Sequence, residues 1–208
     1  MSIVLDHLWQ STAMLAIITL EEHGMRPDGH EALVTGASGG VGSLAVAMLA
    51  RLGYQVVAET GKPEMSDYLK SLGAHEILDR AALAPSGGPL GSARWGGVVD
   101  TVGGEMLAGA LRTLAYGASV ASCGNAGGFT VNTTVLPFIL RGNNVLGIDS
   151  LPVPQARRIA IWDRIATDLP RSAIERTMEV IPLEQARSKA DQILAARTTG
   201  HIVVDVNA

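Results

Sequence analysis

The segment Thr35-Gly36-Ala37-Ser38-Gly39-Gly40-Val41-Gly42 constrains this chain most, because it turns on glycine from a buried strand into a helix. The apolar run Ala32-Leu33-Val34 precedes it. After it, Val41, Leu44, Ala45, Met48, Leu49 and Leu52 fall at i, i+3, i+4 spacing, an apolar face able to lie on a sheet. Gly53 ends that helix, and Tyr54-Gln55-Val56-Val57-Ala58 reads as the next parallel strand. The result is one βαβ unit. Such a helix start presents unpaired N–H groups and the positive end of a dipole, and glycine lets a pyrophosphate approach without meeting a Cβ. The expected ligand is a dinucleotide, held by Gly36, Gly39, Gly40 and Gly42 with the N–H groups of the turn from Ser38 to Val41.

Composition narrows the alternatives. At 208 residues the chain suits one substantial domain, or one domain plus a fragment, and 47% hydrophobic with 17% charged residues marks it as globular. A net charge of -4 argues against nucleic acid as a partner. The single cysteine, Cys123, excludes an internal disulfide framework and a cysteine-based zinc lobe within this sequence. His7, His23, His30, His75 and His201 show no metal-ligand spacing, so no metal is expected. The apolar stretch 13–20 is too short to span a bilayer, and Asp6 and His7 stand where a signal peptide would carry positive charge. No membrane partner and a cytoplasmic location are the expectations.

Along the chain, residues 11–22 read as an apolar helix broken at Gly24 and Pro27. Further strands are expected at 75–78, 98–101, 119–123 and 145–149, with crossover helices at 64–72 and 105–115 and a shorter one at 134–140 that contains Pro137. Residues 81–97, rich in Pro, Gly and Ser, read as a surface loop. This alternation predicts an α/β fold: a doubly wound, six-stranded parallel Rossmann sheet in order 3-2-1-4-5-6 with helices on both faces. Beyond Ser150, Pro154 starts a helix with Trp162, Ile165, Ala166 and Leu169 on one face, and Pro170 stops it. A helix over 183–197, Gly200 as its C′ residue and a strand over 201–206 complete the reading.

Cofactor choice is set at the end of the second strand, where an acid on the ribose hydroxyls means NAD. Counting along the strand puts Thr60, Gly61 and Lys62 there, and a hydroxyl, a free N–H and an ammonium suit the 2′-phosphate of NADPH. A strand end displaced by one residue would instead present Glu59 and favour NAD. Three more strand ends should line the cleft: Thr101-Val102-Gly103-Gly104, Cys123-Gly124-Asn125-Ala126-Gly127-Gly128 and Ile148-Asp149-Ser150. Cys123, Gly124, Gly127, Asp149 and Ser150 are therefore cofactor-site candidates. With no helix-start cation or paired histidine in view, Cys123 reads better as a buried thiol than as a nucleophile. Asp149 reads equally as a general base or as the cap of the following turn. Tyr54, Tyr68 and Tyr116 are followed four residues later by Ala58, Leu72 and Val120, so the Tyr-x-x-x-Lys pair of short-chain dehydrogenases is missing. No catalytic residue is identifiable.

These motifs resemble the medium-chain dehydrogenase/reductase superfamily and, within it, the zinc-free quinone oxidoreductase-like group. More narrowly, residues 34–43, Tyr68-Leu69-Lys70-Ser71-Leu72-Gly73-Ala74, Gly124-Asn125-Ala126-Gly127-Gly128-Phe129-Thr130 and Thr133-Thr134-Val135-Leu136-Pro137-Phe138-Ile139-Leu140-Arg141 resemble the acryloyl-CoA reductase branch, from about Ser11 onward. The resemblance implies NADPH-dependent reduction of the carbon–carbon double bond of acryloyl-CoA, a small acyl-CoA enone, to propionyl-CoA. It assigns Ser38, Gly39, Gly40, Val41 and Gly42 to the pyrophosphate, Thr60, Gly61 and Lys62 to the 2′-phosphate side, and Arg80 and Arg141 to further cofactor contacts. On sequence alone either arginine would be a surface charge. Family members begin with a GroES-like catalytic domain, which this sequence does not include. On that pattern 1–24 is a linking helix, 25–170 the NADP-binding domain and 171–208 the segment returning to the catalytic domain, its last strand short of its usual partners. His201 stands where relatives often carry arginine or lysine, which implies a weaker phosphate contact. Relatives commonly dimerise through the sixth strand, so a homodimer is expected. The alternatives are a non-catalytic NADPH-binding module and a quinone or enone reductase of the same superfamily.

Overall fold

The strands alternate inward-facing residues to two different cores, and that alternation places a helical layer on each side of one sheet. The structure, a computed structural model, describes residues 3–84, 87–169, 171–195 and 197–207. In chain order its first half runs α1 (Ile3–Glu22), β1 (Glu31–Thr35), α2 (Gly40–Arg51), β2 (Val56–Thr60), a 3-10 turn (Pro63–Met65), α3 (Ser66–Ser71), β3 (Glu76–Asp79), α4 (Arg80–Leu83) and β4 (Trp95–Asp100). The second half runs α5 (Gly104–Thr113), β5 (Leu114–Ser122), α6 (Leu136–Arg141), β6 (Asn144–Gly147), α7 (Gln155–Asp168), α8 (Arg171–Thr177), β7 (Met178–Pro182), a 3-10 turn (Leu183–Gln185), α9 (Ala186–Leu194) and β8 (His201–Asp205).

β1 to β6 form one parallel sheet in order β3-β2-β1-β4-β5-β6, the expected doubly wound arrangement. Val34, Val56, Ala58, Val99 and Ala121 join the core beneath α1 and α2, whereas their neighbours Leu33, Val57, Val98 and Val120 join the core beneath α5. The period of two along each strand thus feeds both layers. Burial of each valine or leucine among them contributes about 1.5–3 kcal/mol.

Helix α2 departs from the one-sided pattern expected of it. Every residue from 41 to 49 is buried, because α1 and α8 pack over the side that the sheet leaves open. Helix α1 is likewise buried at Ala13, Met14, Ala16, Ile17 and Leu20, and it starts at Ile3 rather than near Ser11. The stretch read as a loop over 81–97 holds α4 and ends in the first residues of β4, whose Trp95 is buried.

The last quarter of the chain departs most from the sequence pattern. A helix and a strand, α8 and β7, occupy residues where none was expected. β7 pairs in parallel with β8, from Met178↔His201 to Pro182↔Asp205, so the final strand has a partner. The helix expected over 183–197 is confined to α9 after a single 3-10 turn. Gly200 lies beyond α9 with φ +60° and is not its C′ residue. Pro170, expected to stop α7, lies outside the described residues.

Candidate nucleotide-binding site

A buried carboxylate that the sequence did not single out organises the carboxyl ends of the central strands. Thr35, Asp100 and Ser122 sit side by side in register on β1, β4 and β5. Asp100 is fully buried and accepts from Thr35 Oγ1 at 2.7 Å, Ser122 Oγ at 3.0 Å and the N–H groups of Val102 and Gly103 at 3.2 and 3.1 Å. Thr35 Oγ1 also accepts from Thr101 N–H at 3.1 Å. These bonds hold the loops that follow β1, β4 and β5 in one constellation, and a buried carboxylate is tolerable only with such donors.

The glycine turn lies beside that hub. A Cβ at Gly42 would run into the Gly36 carbonyl oxygen, so only glycine lets α2 start this close to β1. Gly39 is the N-cap of α2 and no side chain caps the helix, which leaves its first N–H groups directed at the cleft. Ser38 and Thr60 meet across the turn, Thr60 Oγ1 donating to Ser38 Oγ at 3.2 Å. Lys62 N–H donates to Thr60 Oγ1 at 3.1 Å.

Glu59, the residue that made the cofactor ambiguous, faces inward. It is fully buried, accepts from Gly36 N–H at 2.8 Å and receives Arg80 Nε at 3.3 Å. Its carboxylate therefore supports the glycine turn from below instead of reaching a ribose. Arg80, one residue past β3, lies over Gly61, where a Cβ would stand 3.1 Å from the guanidinium carbon. Thr60, Gly61, Lys62 and Arg80 thus gather a hydroxyl and two cations at the end of β2, a donor set that fits a phosphate on the ribose.

The chain closes over this end of the site with a segment from its distant C-terminal part. Lys62 Nζ donates to the Thr198 carbonyl at 2.6 Å, Gly200 N–H donates to the Ser38 carbonyl at 2.9 Å, and Gly39 and Gly200 form a parallel β-bridge. His201 is buried against Gly40: a Cβ there would stand 3.6 Å from its Nδ1. The sequence pattern could not reveal this clasp, because its contacts are made largely by backbone atoms.

The other candidates divide. Gly124 and Gly127 pack against the β4 loop, Gly127 N–H donating to the Val102 carbonyl at 2.7 Å, so this loop pair forms one wall of the cleft. Cys123 follows β5, with its N–H on the Asp100 carbonyl at 2.8 Å. Burial, reinforced by the nearby Asp100, pushes its thiol up to about 12, which makes it a packing residue rather than a nucleophile. Asp149 is exposed and its Oδ1 accepts from Leu151 N–H at 3.0 Å, capping the turn. Ser150 Oγ receives Thr12 Oγ1 at 2.8 Å, which ties this strand end to α1.

Arg141 stands apart from the cleft. Its guanidinium donates to the carbonyls of Gly91, Arg112 and Leu114, which precede or begin β4 and β5. In a parallel sheet these atoms lie at the amino edge, opposite the cleft, so Arg141 locks strand starts and does not reach the cofactor side. Arg94 does similar work there, bridging Glu31 at 2.6 Å and Glu76 at 2.7 Å while stacking on Trp95.

Fold and site together define a nucleotide-binding module of the doubly wound α/β class, and residues 40–164 match the zinc-binding dehydrogenase family. The chain belongs to that family, within the medium-chain dehydrogenase/reductase superfamily. It is 50% identical over 198 residues to the acrylyl-CoA reductase AcuI of Ruegeria pomeroyi, covering 95% of this chain and 60% of that protein. The Escherichia coli K-12 YhdH structure with bound NADPH superposes with a TM-score of 0.93 at 47% identity, covering 96% of this chain and 62% of that one. Bacillus subtilis YhfP with NAD bound superposes with a TM-score of 0.89 at 42% identity, covering 94% and 60%. The chain spans about 60% of the length of the curated relatives it matches. Among the described residues no group of three or more His, Cys, Asp or Glu could hold a metal ion, and no helix is long and apolar enough to cross a membrane.

Proposed function

We propose that this chain is the nucleotide-binding part of an NADPH-dependent reductase acting on an activated carbon–carbon double bond, with acryloyl-CoA reduced to propionyl-CoA as the reaction. The observation that carries the cofactor choice is the end of β2. Glu59 is buried and committed to Gly36, while Thr60, Lys62 and Arg80 face the position a 2′-phosphate would take. The similarity to AcuI and to NADPH-bound YhdH supports the same reading. The reduced nicotinamide supplies a hydride for the β carbon of the enone. This chain's own part is binding: the α2 start and Ser38 hold the pyrophosphate, the β2 end holds the adenosine ribose, and the loops after β4 and β5 form the wall beside the nicotinamide half.

The division at 25–170 and 171–208 is part of the proposal, supported by the separate β7-β8 sheet. So is a homodimer paired along β6, supported by its open edge and by exposed Val145 on that strand and Ile139 and Leu140 on the helix before it. A cytoplasmic location fits the single cysteine and the use of a reduced nicotinamide. Fluorescence titration with NADPH and NADH, followed by the loss of NADPH absorbance on addition of acryloyl-CoA, tests the reading. Tighter NADPH binding with turnover is expected. Equal binding of the two cofactors refutes the cofactor choice, and binding without turnover reduces the chain to a nucleotide-binding module.

A further inference from the structure

We infer that Glu59 is a positioning residue for 2′-phosphate recognition: its buried carboxylate holds Arg80 by Nε, so that the terminal guanidinium nitrogens project over Gly61 toward the ribose. The inference rests on the NADPH reading above and adds to it the residue that would set the preference. An acid at the end of β2 is ordinarily the signature of the opposite cofactor, NAD, because a carboxylate there binds ribose hydroxyls and repels a phosphate. Here the acid is turned inside out. Glu59 has no exposed surface, one carboxylate oxygen takes the Gly36 N–H at 2.8 Å and the other takes Arg80 Nε at 3.3 Å.

An arginine bound through Nε keeps its two Nη groups for another ligand. Among the described residues neither Arg80 Nη makes a hydrogen bond, and the side chain is 55% exposed. Its position over Gly61 is possible because Gly61 has no Cβ, and Thr60 Oγ1 and Lys62 lie on the adjoining residues. The planar fork of a guanidinium matches two oxygens of a phosphate, and fixing it beforehand lowers the entropy lost on binding. Glu59 thus acts through Arg80. The carboxylate also carries a negative charge near the anion, so its two effects have opposite signs. Orientation of Arg80 favours the phosphate and simple repulsion disfavours it, which makes the direction of a mutational effect decisive.

The test uses calorimetric titration of the 208-residue chain with adenosine 2′,5′-bisphosphate and with adenosine 5′-monophosphate, probes that need no turnover. Wild type should prefer the bisphosphate at least tenfold. Glu59→Gln, which keeps an acceptor for Gly36 N–H, should lose most of that preference and leave the monophosphate within about twofold. Arg80→Met should lose as much, and the double variant no more than Arg80→Met alone. Arg80→Lys, whose compact ammonium lacks the separate Nε and Nη groups with which a guanidinium meets Glu59 and forks two phosphate oxygens, should lose most of the preference too, and this exposed position serves even if Glu59→Gln does not fold. A stronger preference in Glu59→Gln would show that repulsion dominates and overturn the inference. So would equal losses for both probes, which would make Glu59 a support of the turn alone, or full preference in Arg80→Lys. No preference in wild type would instead remove the NADPH reading itself.

Discussion

Replacing Asp100 should separate the hydrogen-bonding geometry of the strand-end hub from its charge. In Asp100→Ala four donors lose their acceptor: two hydroxyls, of Thr35 and Ser122, and two backbone N–H groups, of Val102 and Gly103. The hydroxyls can rotate toward other partners, but the N–H groups are fixed by the chain. At about 1–3 kcal/mol for each buried donor left unsatisfied, the two N–H groups alone imply a loss of about 4 kcal/mol. That is a large part of the roughly 5–15 kcal/mol typical of a domain. Asp100→Asn should cost far less. Its oxygen can still serve Thr35, Val102 and Gly103, and its amide can donate to Ser122 Oγ, which turns to accept, leaving a loss of about 1–2 kcal/mol as charge-assisted bonds become neutral. Urea unfolding followed by the fluorescence of Trp95 and Trp162 gives both values. Equal losses for the two variants, or a loss below about 1 kcal/mol for alanine, would refute the reasoning, since water would then be serving the donors as well as the carboxylate does.

Cys123 and Tyr54 are each pushed up to about 12, both chiefly by burial, with Asp100 and Glu21 respectively adding to it. The unfolded chain sheds these protons first, so stability should fall as pH rises from about 9 toward 12, and Cys123→Ala with Tyr54→Phe should flatten that alkaline limb in denaturation series. Iodoacetamide at pH 8 should leave the native thiol unmodified and label it only in denaturant. Gly42→Ala should cost at least about 2 kcal/mol by thermal unfolding and abolish nucleotide binding, because its methyl would meet the Gly36 carbonyl and the Ala37 Cα. Lys62→Ala should weaken NADPH by about 1.5 kcal/mol and NADH hardly at all in paired titrations, the low end for a bond to a charged group because the site faces solvent.

Where the chain's signals are local, they were legible. The turn from Thr35 to Gly42, the buried runs on either side and the regular spacing of later strands were enough for the order β3-β2-β1-β4-β5-β6. Side-chain direction at strand ends was not. Glu59 and Thr60 are neighbours, and only the register of β2 with β3, Glu59↔Leu78 and Thr60↔Asp79, together with the Gly36 N–H, decides which one faces the cleft. No sequence pattern marks Asp100, a single acid ending an apolar strand, and its four donors come from the ends of β1 and β5 and from the loop after β4. The place of Arg141 is hidden for a related reason: its motif carries sequence similarity, but its partners are carbonyl oxygens, which no sequence displays. β7 has no sequence signal of its own, because Glu179-Val180-Ile181 is a short run ending at Pro182 and its strand character depends on pairing with β8.

The clasp has a consequence for the order in which the molecule can be completed. Lys62 and Thr198 are 136 positions apart, and Gly200 closes on Ser38 and Gly39 across a still longer stretch. Closing so large a loop costs entropy that only late, cooperative packing offsets. During synthesis the glycine turn emerges well ahead of residues 198–200 and can dock into its βαβ unit, yet it lacks its cover until those residues have also left the ribosome. The cleft therefore matures later than the βαβ unit whose glycine turn defines it.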